Sequence, residues 1–543
     1  MKRNRLFLLV ALLPAWVMQA QTSYEAAVLL DTELSGTARY VGMGGAMGAL
    51  GADMSTMSTN PAGTALYRSW DAAFSFGGNG VTYHTASNAG RARAFSSFGS
   101  WDNGGVVIAN KRTNEGVLRF VNFGFNYRNV KRYGGKMGMT SNLGGKFSQT
   151  EQMAWQAWEN RAQPDLGIQG IVPEDFDEAD PLSFYNTNYY REDWVGWLTL
   201  LGADSRLIDA SALDKASLPS DANSYNENTY GGIDAYDFNL SFNFSDMVYF
   251  GATFTCYDVD RTSESTYSET FFGGRYSLDN YYQTVGKGYD FKVGAIVRPF
   301  SASSFRLGAS VTTPTVYTLR DYNYAIINST VTFDQFDEAG EFVGNYTESF
   351  RMDTRSEDAF GGKCYTDYTM VAPWRMNVSL GGTIGHSLAL GAEYEYSDYA
   401  STVLYYSDGV ENTVMNEHTS ANFTGQHTLR LGAEKTFGSF YTRLGYNYQT
   451  GGYKSDAWKM IPVNSVQTNT AYANLRSTQN FTCGLGFRGD VFYADAALLY
   501  STQKSDFYPF VDILNDVDVA GQLQATSLSR NLVKGMLTVG MRF

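Results

Sequence analysis

Tight turns alternate with long polar segments throughout the second half of the chain. The turns lie at Ser245-Asp246, 299–304, Gly385-His386, Gly438-Ser439 and Gly489-Asp490. The polar segments between them cover roughly 260–287, 320–372, 400–425, 450–478 and 503–531. Short connections at one end of the strands and long ones at the other are typical of outer-membrane β-barrels. This layout predicts a chain that lies in a bilayer and excludes most soluble enzymes.

Alternation with period two identifies the strands. In 481–488, one face carries Phe481, Cys483, Leu485 and Phe487 and the other carries Thr482, Gly484, Gly486 and Arg488. Charged residues recur on the polar face, and aromatic residues recur near strand ends, where an interface girdle needs them. The pattern predicts an all-β, transmembrane antiparallel barrel of about 14 strands. These lie near 71–84, 95–110, 117–129, 235–245, 247–260, 288–299, 304–320, 373–385, 387–399, 426–437, 439–450, 478–488, 490–502 and 531–543.

An even strand count places both barrel ends on the periplasmic side and the long loops outside. The last strand ends on Phe543 after alternating apolar residues. This ending resembles the signal by which bacterial barrel-assembly machinery recognises its substrates, so we expect that machinery to be a partner.

The first twenty residues predict export. Lys2, Arg3 and Arg5 precede an apolar run at 6–17, which ends near the small residue Ala20. This is the pattern of a secretory signal peptide, residues 1–20, cleaved after Ala20. The run is too short for a membrane anchor. The formal charge of −14 becomes −17 without the three basic residues, and so acidic a chain is a poor ligand for nucleic acid.

The alternation stops at Lys131-Arg132, and strand-like sequence resumes near 233. We therefore predict a long extracellular insertion at 131–232. It contains Trp155 and Trp158 at helical spacing within 149–161, and a short apolar piece at 194–201. These pieces are compatible with an apolar landing surface for a partner, or with helices that pack together and cap the barrel mouth.

Residues 21–70 do not resemble strands and are glycine-rich. Gly42, Gly44, Gly45 and Gly48 are followed by Asn60, Pro61, Ala62 and Gly63. A dinucleotide-binding loop is excluded because Met47 replaces its last glycine, and no GK[ST] follows for a phosphate loop. Glycine permits compact backbone packing. The segment therefore predicts an N-terminal hatch, 21–70, inside a barrel formed by 71–543.

These features together resemble the FadL/TodX family of outer-membrane transporters. The resemblance rests on the signal peptide, the G-M-G-G-A and N-P-A-G motifs and a barrel of about 14 strands. It implies a monomeric, passive channel that lies among the lipids of the outer membrane of a Gram-negative bacterium. The channel carries long-chain fatty acids or other hydrophobic small molecules. The resemblance also implies a hatch that contains Asn60, Pro61 and Ala62.

In that family a kink in the third strand opens the barrel wall sideways. The resemblance places the kink at Gly124, with Leu118 and Phe120 on the substrate path. Ordinary packing of these side chains against the hatch is the alternative.

Two other functions compete with transport. An enzyme needs a nucleophile, a base and an orienting group. The chain has four histidines, His84, His386, His418 and His427, which form neither such a set nor metal-ligand spacing. We predict no catalytic residue, metal or cofactor. The second alternative is a FadL-like barrel that acts in protein secretion or surface-protein docking through 131–232. The three cysteines, Cys256, Cys364 and Cys483, form no disulfide framework.

Overall fold

The computed structural model describes residues 21–112, 116–159, 189–192, 194–208, 218–337, 339–385, 387–512 and 523–543. The predicted signal peptide and His386 lie outside these residues. The helices are α1 (Ser23–Leu30), α2 (Ala38–Gly42), α3 (Gln149–Glu159), α4 (Trp197–Asp204) and α5 (Thr413–Asn422). Shorter 3-10 helices cover Met54–Ser58, Pro61–Leu66, Tyr189–Arg191 and Tyr399–Ser401. Within this part of the chain, no helix is both long and apolar enough to cross a membrane.

All the strands belong to one sheet. They are β1 (Asp71–Ser87), β2 (Gly90–Lys111), β3 (Leu118–Phe147), β4 (Ser220–Phe244), β5 (Val248–Phe271), β6 (Gly274–Val297), β7 (Arg306–Thr312), β8 (Val316–Phe336), β9 (Phe342–Asp353), β10 (Cys364–Val371), β11 (Arg375–Ile384), β12 (Leu388–Asp398), β13 (Val403–Tyr406), β14 (Gly425–Phe437), β15 (Phe440–Thr450), β16 (Tyr472–Arg488), β17 (Phe492–Tyr508) and β18 (Thr526–Arg542).

The sheet closes on itself. β1 pairs antiparallel with β2 and also with β18, where Asp71 lies opposite Arg542. Three pairs of consecutive strands each form one strand position of the wall: β7 with β8, β10 with β11, and β12 with β13. β9 forms a hairpin with β8. The wall is therefore a closed antiparallel barrel of fourteen strands, which confirms the predicted fold class. Closure gives every strand position in the ring a neighbour on each side along at least part of its length.

An apolar band surrounds the barrel beside the tight turns. On β5, Phe250 and Phe254 are exposed on the outer face, whereas Thr253 and Thr255 are buried in the lumen. Farther from the turn, outward positions become polar at Asp258 and Asp260. Side chains on opposite faces of a strand meet different solvents, and this band has the composition that lipid requires.

Several strands are longer than the sequence predicted. The segment 260–287 was expected to be a loop, but it is the continuation of β5 and β6, joined at Phe272-Gly273. Burial still alternates there, since Tyr267 and Glu269 face inward. Both faces, however, carry polar side chains, so the hydropathy pattern that marks a strand disappears although the strand continues.

The predicted insertion at 131–232 is wrong in its boundaries. β3 continues to Phe147 and β4 begins at Ser220. The cause is a β-bulge, because the register with β4 shifts between Asn129 and Lys131. A bulge adds one residue to a strand, so two consecutive basic residues fit without ending it. The described parts of the true insertion are 148–159, 189–192, 194–208 and 218–219.

Helices α3 and α4, with Tyr189–Arg191, form a cap over the barrel mouth. Trp197 and Leu198 of α4 are fully buried, as is Met153 of α3. They pack against inward side chains near the far ends of the strands, including Tyr225, Tyr267, Tyr276, Leu278 and Ile327. Of the two arrangements that the sequence left open, the structure shows the helices packed together as a cap; Trp155 and Trp158 are half-buried.

The predicted hatch segment, residues 21–70, packs against inward-facing residues of the wall; Gly42, for example, lies against Gly484 of β16. Helix α1 begins at Ser23 because Thr22 caps it, its Oγ1 accepting a hydrogen bond from Glu25 N at 3.3 Å. α1 lies in the outer half of the lumen, where Tyr24 Oη donates to Asn474 Oδ1 at 2.7 Å. The hatch then descends, and Trp70 exchanges backbone hydrogen bonds with Phe543 at the turn end of the barrel.

Candidate functional site

The Asn60 motif fixes the lower hatch to the wall. Asn60 Oδ1 accepts from Ala62 N at 3.1 Å and so caps the short helix Pro61–Leu66, while its Nδ2 donates to Ala295 O of β6 at 3.2 Å. Thr64 Oγ1 lies 2.8 Å from Ser241 Oγ of β4. The polar atoms of a buried turn are satisfied in this way by wall atoms, as burial requires.

A belt of inward glycines receives the hatch backbone. At each of them an added Cβ would come within 3.0 Å of a hatch atom. We call the following eight residues the glycine belt: Gly124, Gly251, Gly294, Gly308, Gly381, Gly391, Gly432 and Gly445. Several are direct cross-strand partners, such as Gly432 and Gly445. Only a wall without side chains at this level allows the two backbones to approach so closely.

The glycines of the hatch lie opposite this belt. Gly44 has φ +61°, and a Cβ there would come within 2.9 Å of Leu431 O. Gly48 N donates to Glu393 Oε2 at 2.9 Å. Gly42 lies against Gly484, and Gly45 has φ +81°. All four predicted hatch glycines are thus buried, and each packs against the barrel or against other hatch residues. They do not form a ligand-binding loop.

Between the hatch and the cap the lumen holds a cavity of about 230 Å³. Tyrosines contribute most of its aromatic surface, and Met137, Phe507 and Leu528 add apolar surface. The tyrosines are Tyr24, Tyr83, Tyr133, Tyr225, Tyr282, Tyr453 and Tyr472. The lining also carries polar and charged groups, among them Glu25, Lys131 and Arg530, so the concave space is amphipathic, which suits a small molecule with apolar and polar parts.

The charged groups of α1 and the segment after it are paired with the wall. Glu25 accepts from Arg261 Nη1 at 2.8 Å and from Lys459 Nζ at 3.2 Å. Lys131 Nζ lies 2.9 Å from Asp31 Oδ2, and Arg530 Nη2 lies 2.8 Å from Glu33 Oε1. Because these charges are neutralised by partners, the cavity has an aromatic lining bordered by ion pairs that tie the upper hatch to β3, β5 and β18.

The wall beside this cavity has a lateral break. The β2–β3 ladder covers only Asn103–Lys111 and 120–128. In the described residues, the far part of β2, 90–102, pairs with β1 alone, and the far part of β3, 129–142, pairs with β4 alone. β1 side chains bridge to β3 higher up, where Thr85 Oγ1 donates to Gly138 O at 2.7 Å. We call the unpaired stretch between 90–102 and 129–137 the lateral break.

The cavity reaches the lateral break. Its lining includes Tyr133, Gly134 and Met137 of β3 and Tyr83 of β1. The ring of Phe98 covers Gly134, at which a Cβ would come within 2.5 Å of Phe98 Cε1. The cavity is therefore bordered, at a place where β2 and β3 share no ladder hydrogen bonds, by aromatic rings instead of backbone.

The structure places the residues of the predicted opening elsewhere. Gly124 is paired on both sides, with Val107 of β2 and Asn239 of β4, so the wall has no ladder break at this position. Because Gly124 has no side chain, Met57 of the hatch packs directly against it. Phe120 is buried with Met54 and Met57, which is the packing alternative. Leu118 is half-buried at the start of β3. The register of β3 with β4 shifts at three places: between Leu118 and Phe120, between Asn129 and Lys131, and between Asn142 and Phe147.

A hub at Glu269 holds the base of the cap. Its carboxylate accepts from Gln149 N at 2.7 Å and from Ser220 Oγ at 2.6 Å, and also from Ser148 and Tyr267. Buried carboxylates need several donors, and here they come from both ends of the insertion. The hub therefore joins β3, α3 and β4 to β5 at the mouth.

The cap contains a carboxyl group that is neutral near pH 7. Burial, with the Asp512 and Glu269 carboxylates nearby, raises the pKa of Glu151 from its usual value near 4.5 to about 8. A raised carboxyl pKa means that the docked helix favours the protonated form, so its contribution to docking is present at low pH and is lost as pH rises through 8.

We therefore expect the amide-exchange protection of α3 to fall between about pH 5 and pH 8, since the pKa of Glu151 rises from 4.5 to about 8. The Glu151→Gln variant should keep its protection across this range, because the amide stays neutral. Glu159→Gln, at the exposed end of the same helix, is the matched control and should behave as wild type. Hydrogen–deuterium exchange, corrected for the intrinsic pH dependence, measures the difference. Equal slopes in the wild type and Glu151→Gln would contradict the assignment.

The described residues contain no group of three or more histidine, cysteine, aspartate or glutamate side chains that is arranged to hold a metal ion. In the described part of the chain, no disulfide joins Cys256, Cys364 or Cys483, in agreement with the sequence. His418 Nδ1 and Ser23 Oγ lie 2.8 Å apart. That the chain has no catalytic function stays a prediction.

Comparison with known proteins gives structural matches only. No family model and no curated protein matches the sequence. The chain is similar to a solved FadL homologue of Pseudomonas aeruginosa, with 12% identity, coverage of 94% of this chain and 99% of that one, and a TM-score of 0.49. It is also similar to the P. putida toluene transporter TodX (8% identity, 94% and 99% coverage, TM-score 0.43) and to the Ralstonia pickettii toluene transporter TbuX (12%, 94% and 99%, 0.42).

The sequence did not reveal the glycine belt or the lateral break. The signal for the belt was present, since a glycine recurs at one inward position in most strands, in matching register. The lateral break has no local signal, because it depends on which residues of β2 and β3 come together.

Proposed function

We propose that this chain is an outer-membrane channel for the passive transport of long-chain fatty acids or other hydrophobic small molecules. One observation carries the proposal: a tyrosine-lined cavity, enclosed between hatch and cap, borders the lateral break in a barrel that is girdled by exposed apolar side chains. A cavity of this kind suits an apolar or amphipathic occupant, and its position leads sideways rather than into water.

The physical logic favours a lateral route. Moving apolar surface into water is unfavourable by about 25 cal/mol per Å², so a lipophile that crossed a water-filled pore would lose its driving force. Exit through the wall leads it directly into lipid. The lateral break is the candidate exit, in place of the Gly124 position, and the exposed rings of Phe95 and Trp101 on β2 lie along its outer side.

The hatch is the candidate gate. Its upper part contributes Tyr24, Glu25, Val28 and Asp31 to the cavity, so an occupant contacts it directly. A ligand shifts a conformational equilibrium only through different affinity for the two states. Because three ion-paired carboxylates tie this part to the wall, binding that disturbs Glu25, Asp31 or Glu33 would favour a shifted hatch.

The partners follow from this location. The exposed band supports contact with outer-membrane lipid, and the C-terminal strand β18, closed onto β1 beside Trp70 and Phe543, is the candidate contact with the barrel-assembly machinery. A monomer suffices for the proposed route, since cavity, hatch and lateral break belong to one chain.

Filling the cavity tests the proposal. Ser505 lines the cavity from β17, whereas Thr502 lies on the opposite face of the same strand. We expect Ser505→Trp to abolish saturable binding of hexadecanoic acid and of toluene, because the indole occupies the site. Thr502→Trp adds the same ring outside and should bind as wild type. Binding is measured by titration of the folded protein in nanodiscs.

The same pair of variants separates binding from folding. Both should show heat-modifiable migration on semi-native gels, which is the behaviour of an intact barrel. If Ser505→Trp is folded and binds both probes with wild-type affinity, the cavity is not the substrate site. If neither protein binds either probe, hydrophobic transport loses its support. Uptake by cells that express each variant then relates binding to transport.

A further inference from the structure

The side-chain amide nitrogen at the beginning of the hatch is buried and has no hydrogen-bond partner among the described residues. Gln21 is 3% exposed, and its Nε2 makes no hydrogen bond. An amide nitrogen that loses its water without gaining a partner is destabilising, and native proteins leave few such groups. The next residues have their bonds, since Thr22 caps α1 and Ser23 shares a hydrogen bond with His418. The orphaned group therefore requires its own explanation.

Export changes the chemistry of this position. The predicted cleavage after Ala20 makes Gln21 the first residue, with a free α-amine next to the buried amide. An α-ammonium has a pKa near 8, so it would carry a positive charge at neutral pH. The site does not suit a cation, because it immediately precedes the N-terminus of α1, where the helix dipole disfavours positive charge.

The neighbouring histidine reports the same environment. His418 lies on α5, and its ring is 6.5 Å from that of Tyr24. Burial lowers the pKa of His418 to about 4, so the imidazole is neutral at pH 7. Ser23, which shares a hydrogen bond with His418, lies two residues after the α-amine of residue 21. The surroundings that keep the imidazole neutral therefore also disfavour a charged ammonium at residue 21.

We infer that residue 21 of the exported protein is a modification site, at which the N-terminal glutamine cyclises to pyroglutamate. The α-amino nitrogen attacks the side-chain carbonyl carbon, the Cδ–Nε2 bond breaks, and ammonia leaves with the displaced proton. No oxidant, reductant or second substrate is needed. The reaction removes both unfavourable groups at once, since the unpartnered Nε2 is the leaving group and the charged amine becomes a neutral lactam.

The inference depends on cleavage after Ala20 and is independent of what the channel carries. Its consequence is structural: a neutral first residue lets α1 begin inside the lumen, with Tyr24 and Glu25 placed in the cavity. A charged terminus would instead favour withdrawal of this end toward water.

Mass spectrometry of the mature N-terminus tests the inference. Trypsin releases residues 21–39, because the first basic residue after Gln21 is Arg39. We expect this peptide to be lighter by one ammonia than the uncyclised form. An isotopically labelled synthetic peptide with free N-terminal glutamine is added before digestion and measures cyclisation during handling. A native peptide no more cyclised than the label, or one that begins at another residue, would overturn the proposal.

A variant tests the physical reason. Gln21→Ala cannot cyclise and keeps a charged amine at the same place. We expect amide exchange in α1 to become several-fold faster, with exchange in β17 unchanged as the internal control for folding. Wild-type exchange in α1 of Gln21→Ala would show that a buried charge is tolerated there and would remove the rationale for the modification.

Discussion

Replacing Arg443 with methionine is expected to lower the free energy of unfolding by about 3 kcal/mol. The Arg443 side chain is fully buried between the hatch and the wall, where Nε donates to Glu434 Oε2 at 2.6 Å and Nη1 to Asp495 Oδ1 at 2.7 Å. Removing one partner of a buried pair leaves an uncompensated charge. The expected loss of unfolding free energy lies at the low end of the range for breaking a buried ion pair. The reason is that Arg39 still contacts Glu434 and Arg488 still contacts Asp495.

The matched control is an exposed pair of the same chemistry. Arg320 contacts Asp367 on the outer surface at 2.6 Å, and the two side chains are 42% and 40% exposed. Exposed ion pairs contribute at most about 1 kcal/mol, so Arg320→Met should have a small effect. Urea unfolding of both variants in lipid vesicles, followed by tryptophan fluorescence, measures the difference. Equal losses would show that burial does not set the strength of the Arg443 network.

The membrane part of the fold was predictable because lipid makes the pattern strict. Outward residues such as Phe250 and Phe254 face hydrocarbon and inward residues such as Thr253 face a packed polar lumen, so period-two alternation follows from the solvents on either side. Where β5 leaves the apolar band, both faces become polar and the prediction ends near Asp260 although the strand continues to Phe271.

The site was less predictable because it depends on register and tertiary contact. The bulge at Val130 makes Lys131-Arg132 look like a strand end, yet Lys131 faces inward to Asp31. The position of the hatch beside Gly445 and Gly251 depends on a segment far away in sequence, and no local pattern encodes that contact. The hatch motif itself was visible at Asn60-Pro61 because a turn and a helix cap have local signatures.

Placing a leucine at Gly445 is expected to displace the hatch while leaving the barrel closed. A Cβ at Gly445 would lie 2.1 Å from Gly44 N and 2.5 Å from Met43 C, both backbone atoms that cannot rotate away. A Cβ there would also lie 2.4 Å from Oγ1 of Thr482 on β16, a side-chain atom that can rotate away. The conflict with the hatch is harder to relieve, because its atoms belong to the backbone.

Two measurements follow the displaced hatch. A fourteen-stranded barrel without its plug encloses a water-filled lumen, so conductance in planar bilayers should rise roughly tenfold or more over wild type. Trypsin should also cleave at Arg39 in the folded protein, because that side chain loses its bonds to Glu434 and to Ala52 O. Wild-type protein should resist cleavage at this position.

Gly535→Leu is the matched control, because a Cβ at this outward β18 position meets nothing within 4 Å. It should conduct and resist trypsin as wild type does. Deletion of 21–70 gives the reference for an open barrel, and Gly445→Leu should approach its conductance. If Gly445→Leu folds with the conductance and protease resistance of wild type, the hatch has accommodated the side chain and the glycine belt is not what seats it. If the deletion variant is itself closed, the cap rather than the hatch blocks the lumen, and the gate lies at the barrel mouth.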